Sequence, residues 1–211
     1  MTALFVTGTD RDVGKTIVSR ALVQALTAQG QRAVSYTPLA LSAAARGLAA
    51  STAQPEEAQP LLVLDGEEIY AHPPEPALFE RFSAGLAARE ALADSVVVEG
   101  CGGWRLMLDE TRCYADWVRA QQLPVVLVVG IKQGCISHAL LTAEAIVRDG
   151  LPLVGWVANR INPCLAHYAE TIHLLSRNID APLLGEIPYL PHAERRELGH
   201  LLDLSRLAVP R

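Results

Sequence analysis

The chain has 211 residues, 50% of them hydrophobic and 19% charged, which suffices for one domain with a sizeable core and excludes a disordered segment. Its 18 basic and 23 acidic residues leave a net charge of −5, which excludes a surface built to neutralise duplex phosphates. No apolar run is long enough to cross a bilayer and no basic-then-apolar leader opens the chain, so a cytoplasmic protein with no membrane or nucleic-acid partner is expected.

Ala3 to Thr7 reads as a short buried strand. After Lys15, Ile17, Ala21, Leu22, Ala25 and Leu26 return at helical spacing, and Gly30 is a stop signal. Ala33 to Tyr36 is a second strand. From Ala43 to Pro76 the chain is rich in Ala, Pro and Glu and reads as an excursion from the sheet, with one short strand at Leu61 to Leu64. Helical patterns at Leu78 to Leu92, Tyr114 to Gln121, Ile136 to Arg148 and His167 to Arg177 then alternate with apolar runs. These runs lie at Ser95 to Glu99, Pro124 to Val129, Leu153 to Ala158 and Leu183 to Ile187. Strands apolar on both faces and separated by helices imply an α/β fold: a single-domain, phosphate-loop NTPase-type parallel sheet over residues 1–211, with helices on both faces.

The stretch "GTDRDVGKT", Gly8 to Thr16, joins the first strand to the first helix. A phosphate loop works because successive backbone N–H groups and a helix N-terminus converge on one anion. Gly14 lets the main chain approach the anion, Lys15 can reach the terminal phosphates, and the Thr16 hydroxyl can hold Mg²⁺. Gly8 lies one residue earlier than the usual first glycine, whose place is taken by Thr9, so the loop is a variant form. Partitioning-type ATPases carry a second lysine near the start of this loop. Here that position is Asp10, which disfavours a surface-cycling switch ATPase.

In "SVVVEGCGGW", three valines deliver Glu99 to the carboxyl end of a central strand, where open α/β sheets bind ligands. A carboxylate there can hold Mg²⁺ against nucleotide phosphates. Gly100, Gly102 and Gly103 permit a ligand close to the backbone. Lys132, Asn159 and Pro188 follow other strands toward the same rim. The Asn159 amide carries a donor and an acceptor that can match an adenine edge, and Asn is also ordinary turn chemistry at a strand end. The four cysteines lack metal-ligand spacing and read as inert thiols, with Cys101 the one expected to be accessible. His138, His167 and His173 are expected to be packing or surface residues.

Together "FVTGTDRDVGKT", "VVVEGCGGW", "ADWVRAQQLPVVLVVGIKQGCISHALLTAEAI", "GWVAN" and "PLLGEIPYLP" resemble the dethiobiotin synthetase family, over all of the chain except about residues 41–93. The resemblance implies a homodimer, a seven-stranded parallel sheet, and an ATP- and Mg²⁺-dependent cyclo-ligase of biotin biosynthesis. That reaction turns 7,8-diaminononanoate, CO₂ and ATP into dethiobiotin, ADP and phosphate. By the same resemblance Asp12, Val13, Gly14, Lys15, Thr16 and Ile17 hold phosphates, and Lys15 is catalytic. Thr16 and Glu99 hold Mg²⁺, and Glu99, Gly100, Cys101 and Gly102 line the nucleotide. Asn159, Arg160, Pro188, Tyr189 and Leu190 surround adenine, while Arg11, Gly102 and Gly103 face the substrate.

This chain departs from the family pattern at several positions. Thr37, in "YTPLALS", occupies the place of the family's catalytic lysine, and "GLAASTAQ" has no acid where the family has a magnesium-binding Asp, Thr52 standing there. Arg11 and Asp12 replace the usual Thr-Glu, and Asp12 is left between orienting a substrate amine and orienting a metal-bound water. Thr171 replaces a tyrosine expected to reach across the dimer contact. These losses open an alternative: a nucleotide-binding paralogue without this activity, acting as a regulator or on another substrate.

Overall fold

The computed structural model describes residues 3–41, 60–64 and 77–207. Six parallel strands form the main sheet: β1 (Ala3–Gly8), β2 (Ala33–Tyr36), β5 (Ser95–Glu99), β6 (Val125–Gly130), β7 (Leu153–Asn159) and β8 (Leu183–Ile187). Their order is β2-β5-β1-β6-β7-β8. Two further strands, β3 (Leu39–Leu41) and β4 (Leu62–Leu64), pair in parallel as a separate small sheet. The seven-stranded sheet implied by the resemblance is therefore corrected to six among the described residues. β4 matches the expected strand, whereas β3, three residues long after Pro38, carries too little pattern to be foreseen. Most of the Ala43 to Pro76 excursion lies outside the described residues.

Side chains alternate faces along each strand, and the two faces meet different layers. Leu4 and Val6 of β1, Val97 of β5 and Val126 and Val128 of β6 pack on α1 (Lys15–Ala28) through Val18, Ala21, Leu22 and Leu26. Phe5, Val96, Val98, Val125 and Leu127 face the opposite layer. There lie α2 (Leu78–Glu90), α3 (Tyr114–Ala120), α4 (Cys135–Arg148) and α5 (Tyr168–Asn178). The chain folds this way because β1 and β6 are buried at every position, so neither face can be left to water.

An aromatic cluster anchors the second layer. Phe82, fully buried on α2, meets the rings of Tyr114 at 5.7 Å and Trp117 at 5.6 Å, and Tyr114 meets Phe5 at 5.5 Å. Truncating such a residue leaves a cavity that the rigid sheet cannot close, so Phe82→Ala is expected to cost about 3–5 kcal/mol. Urea unfolding would measure it, and a loss near that of a surface substitution would contradict this packing account.

Beyond β8 come three short 3-10 turns, of which Ala193–Arg195 and Gly199–Leu201 lie against α1 and Leu204–Arg206 lies against β8. Gln24 Oε1 accepts from the Leu198 and Gly199 amides at 2.7 and 3.0 Å, a tie between distant segments that no local pattern announces. Among the described residues no helix is long and apolar enough to cross a membrane.

The sheet order reverses at β1: the chain moves from β1 to β2, returns to β5, then crosses to β6 on β1's other side. The loops at the carboxyl ends of β1, β5 and β6 thus border one crevice, the place where open α/β sheets take ligands.

Candidate nucleotide and substrate site

The loop after β1 is held from three sides. Thr9 N donates to Val128 O at 3.1 Å, which fixes the loop to β6. Asp10 carboxylate oxygens accept from the Arg11 amide at 2.7 Å and from Lys132 Nζ at 3.2 Å. These bonds, led by the Arg11 amide, hold the Asp10 carboxyl below its ordinary range. Asn159 Nδ2, from the end of β7, donates to Val13 O at 2.8 Å. Asp12 has φ 51°, in the left-handed region that Asp enters more readily than bulkier residues, so a backbone requirement accompanies whatever chemistry its carboxylate has.

Gly14 begins the helix with φ 90°, and a Cβ there would stand 2.0 Å from Asn159 Nδ2. No side chain caps this terminus and its first turn holds no acid. The unclaimed N–H groups and the positive end of the helix dipole therefore suit an external anion. Gly14→Ala is expected to lower nucleotide affinity at least about tenfold by displacing Asn159 and the loop. Gly30→Ala is the control: its φ is 84°, but an added Cβ meets nothing within 4 Å, so it carries the backbone strain alone. Calorimetric ADP titrations of the two variants check this, and equal affinities would refute it.

Lys15 is the first residue of α1 and is only 9% exposed. Its Nζ folds back to donate to Asp10 O at 2.8 Å, closing a ring over the loop. Burial lowers its pKa, opposed by the charge fields of Cys101, Glu99, Asp12 and Asp10. Behind it, Thr16 Oγ1 donates to Glu99 Oε1 at 2.5 Å. Glu99 is 8% exposed, and its pKa is pushed up to about 7 because burial disfavours the carboxylate; the Thr16 bond and Lys15 pull the other way.

This donor set fits a divalent cation only in part. A hydroxyl and a buried carboxylate already in contact supply two hard oxygens, and an added positive charge would relieve the carboxylate's burial. Among the described residues no three His, Cys, Asp or Glu converge, and the described residues supply only these two oxygens at the site. Thr52 lies outside the described residues. Thr37, at the end of β2, is 5% exposed and its carbonyl accepts from Leu61 N at 3.2 Å.

The segment after β5 forms the crevice's next wall. Gly100 N donates to Val6 O at 2.8 Å, and a Cβ on Gly100 would approach that same carbonyl to 2.6 Å. Cys101 is buried at 7% exposure; the exposed thiol is Cys164, so the expectation for Cys101's accessibility is corrected. The Phe5 and Trp104 packing beneath the segment explains the burial. A cleft of about 520 Å³ opens beside the loop, bringing together Arg11, Gly102 and Gly103 with Trp104, Leu106 and Met107. Its far wall is braced by Asp149, which accepts from Trp104 Nε1 at 2.8 Å and from both Arg105 Nη atoms at 2.6 and 2.8 Å. This brace, spanning more than forty residues of sequence, left no sequence signal.

The residues assigned to adenine lie elsewhere on the rim. Arg160 sits 4.8 Å over the Tyr168 ring and donates to Pro163 O, while Pro188 and Tyr189 are exposed after β8. One of the two Asn159 amide N–H donors is already taken by the Val13 carbonyl. Thr171 Oγ1 bonds back to His167 O within its own helix, and His138, His167 and His173 are exposed, as surface residues should be.

Comparison with known proteins bears on the family and the fold. A family model described as an AAA domain matches residues 2–197. The chain is 50% identical to a protein of Yersinia pestis named ATP-dependent dethiobiotin synthetase BioD 2, over 99% of each chain. It is likewise 50% identical to the protein of the same name from Escherichia coli K12, over 96% of this chain and 93% of that one. Among solved structures, the septum site-determining protein MinD of Pyrococcus horikoshii, complexed with Mg-ADP, aligns with a TM-score of 0.59 over 97% of this chain and 89% of that one. At 16% identity, that likeness speaks for the phosphate-loop NTPase fold alone. With half its residues shared over essentially the full length of such relatives, the chain belongs to the ATP-dependent dethiobiotin synthetase family.

Proposed function

We propose that this chain is a cytoplasmic, homodimeric, ATP- and Mg²⁺-dependent cyclo-ligase. In this reading it converts 7,8-diaminononanoate and CO₂ into dethiobiotin, with ADP and phosphate released. One substrate amine adds to CO₂ and loses a proton to become a carbamate. A carbamate oxygen then attacks the γ-phosphorus and ADP leaves. The second amine attacks the activated carbon, expels phosphate and loses a proton, closing the cyclic urea. Such chemistry requires alignment and charge stabilisation more than covalent help from the protein.

The observation that carries the reading is the adjacency of two features. An uncapped helix N-terminus stands over the Thr16–Glu99 pair, and a largely apolar cleft opens beside it along Gly102 and Gly103. In this account the amides of residues 12–17 grip the phosphates, and Lys15 exchanges its bond to Asp10 O for one to a phosphate oxygen. Thr16 and Glu99 would hold Mg²⁺, which when bound neutralises charge on the phosphate oxygens; their two hard oxygens, already in contact, support that assignment. Arg160 and the segment Pro188 to Leu190 border the base. The apolar walls suit the substrate's hydrocarbon chain.

A second reading rests on Thr37. With a buried threonine after β2 and no cation among the described residues that directly follow it, the chain in this reading binds MgATP and fails to close the ring, serving as a regulator or acting on another substrate. Incubation with MgATP, bicarbonate and diaminononanoate, with dethiobiotin quantified by mass spectrometry, separates the two. Dethiobiotin formed in step with ADP supports the cyclo-ligase; ATP binding without product removes it in favour of the second reading.

A further inference from the structure

We propose that Arg11 is the anion-receiving residue of the cleft, supplying from the phosphate-loop side the positive charge that Thr37 does not supply from the end of β2. This rests on the cleft being the substrate site of the reading above.

Among the described residues two arginines line the cleft, and they differ in availability. Arg105 is committed: both its terminal nitrogens are bound to Asp149. Arg11 is exposed, and among the described residues its guanidinium has no side-chain partner. Neighbouring Asp10 is already engaged, its carboxylate taking the Arg11 amide and Lys132. The backbone of residue 11 is thereby fixed while its side chain remains available to a ligand. Across the loop, Gly103 lies against it: a Cβ there would fall 3.9 Å from the Asp10 Cα, with the Thr9 carbonyl at 3.7 Å. Arg11 and the glycine segment consequently belong to the same rim, at the end of the cleft nearest the phosphate loop.

A guanidinium at that point presents a planar fork of N–H donors, which matches a carboxylate-like oxygen pair better than a single ammonium does. A carbamate is such a pair. The remaining walls, Trp104, Leu106 and Met107, offer an aliphatic chain apolar contact. The cleft therefore selects an aliphatic molecule with an anionic head directed at Arg11.

The test uses straight-chain dicarboxylates, which cannot react. Nonanedioate and decanedioate space two carboxylates by the same number of chain atoms as the substrate's carboxylate and a carbamate on its 7- or 8-amine. Calorimetry is carried out on the intact chain with saturating MgADP. Wild type is expected to bind at least one of them, Arg11→Lys several-fold more weakly, and Arg11→Thr at least about tenfold more weakly. Arg11→Thr combined with Thr37→Lys is expected to recover most of the loss. ADP affinity, measured in the same samples, is expected to stay within about threefold and reports an intact loop. Equal diacid binding by wild type and Arg11→Thr, or no binding by wild type, overturns the assignment. Arg11-dependent diacid binding in a chain that forms no dethiobiotin would sustain Arg11 while removing the cyclo-ligase reading. Dethiobiotin made by Arg11→Thr at the wild-type rate would overturn Arg11 and leave that reading standing.

Discussion

Lys15→Met is expected to abolish phosphoryl transfer, lowering ATP-dependent turnover by about a thousandfold or more while leaving the chain folded. Without a ligand, Lys15 is poorly compensated. Its ammonium is almost wholly buried and rests on one backbone carbonyl, Asp10 O. Burying a cation for a single neutral acceptor is unfavourable, and the lowered Lys15 pKa records that burial. Methionine keeps most of the apolar stem and removes the charge, so thermal stability should change little or rise. What disappears is a positioned charge donor at the transferring group, a loss of about 3–4 kcal/mol for one such donor and more when it also aligns the phosphates. Single-turnover phosphate release, read beside a melting curve, checks both halves. Turnover within about tenfold of wild type would show that Lys15 is a structural lysine.

The second large effect concerns Glu99→Gln, which is expected to stabilise the ligand-free chain and weaken its Mg-nucleotide complex. The pKa of Glu99 is raised from 4.5 to about 7 by burial. Below pH 4.5 the group is protonated folded or unfolded and contributes nothing to the pH slope. Between 4.5 and 7 the folded chain retains a proton that the unfolded chain has released, so stability declines as pH rises. Above 7 the decline levels off, with an accumulated cost of about 3 kcal/mol. Glutamine is neutral throughout, so the variant's advantage should be near zero at pH 4 and largest at pH 8. Cation binding works in the opposite direction because it requires the carboxylate. Wild-type affinity for ADP with Mg²⁺ should therefore fall about tenfold for each unit below pH 7, and the variant should lose that dependence. Denaturant melts from pH 4 to 8, with ADP titrations plus and minus Mg²⁺, provide the measurement. A variant less stable than wild type at pH 8 would mean that the Thr16 bond outweighs burial.

Much of this architecture was legible because local and global demands coincide. The valine-rich runs of β5, β6 and β7 are apolar on both faces, and a parallel sheet covered by helices accommodates that with every residue buried. Helix boundaries followed from the spacing in α1 and α4, although α2 stops at Glu90 rather than Leu92, which the structure leaves 73% exposed. The loop and Glu99 were expected on one rim from their places after β1 and β5, and the Thr16–Glu99 bond brings them together there. Illegible were the features that depend on distant partners. Gln24 holding the turns near Leu198, Asp149 bracing Trp104 and Arg105, and Asn159 bonding Val13 each join segments far apart in sequence. Lys132 was placed on the correct rim, but its role as the counter-ion of Asp10 emerges only when β6 lies beside β1. Cys101 shows the reverse error: flanking glycines suggested openness, whereas Phe5 and Trp104 enclose the segment.

The most direct test of the account is a crystal structure of the chain with ADP and Mg²⁺. The predicted result has the β-phosphate resting on the amides of residues 12–16 and Lys15 Nζ moved from Asp10 O to a phosphate oxygen. The cation in that result stands between Thr16 and Glu99, parting their present contact. Phosphates bound elsewhere, with Thr16 still donating to Glu99 and Lys15 still closed on the loop, would contradict it.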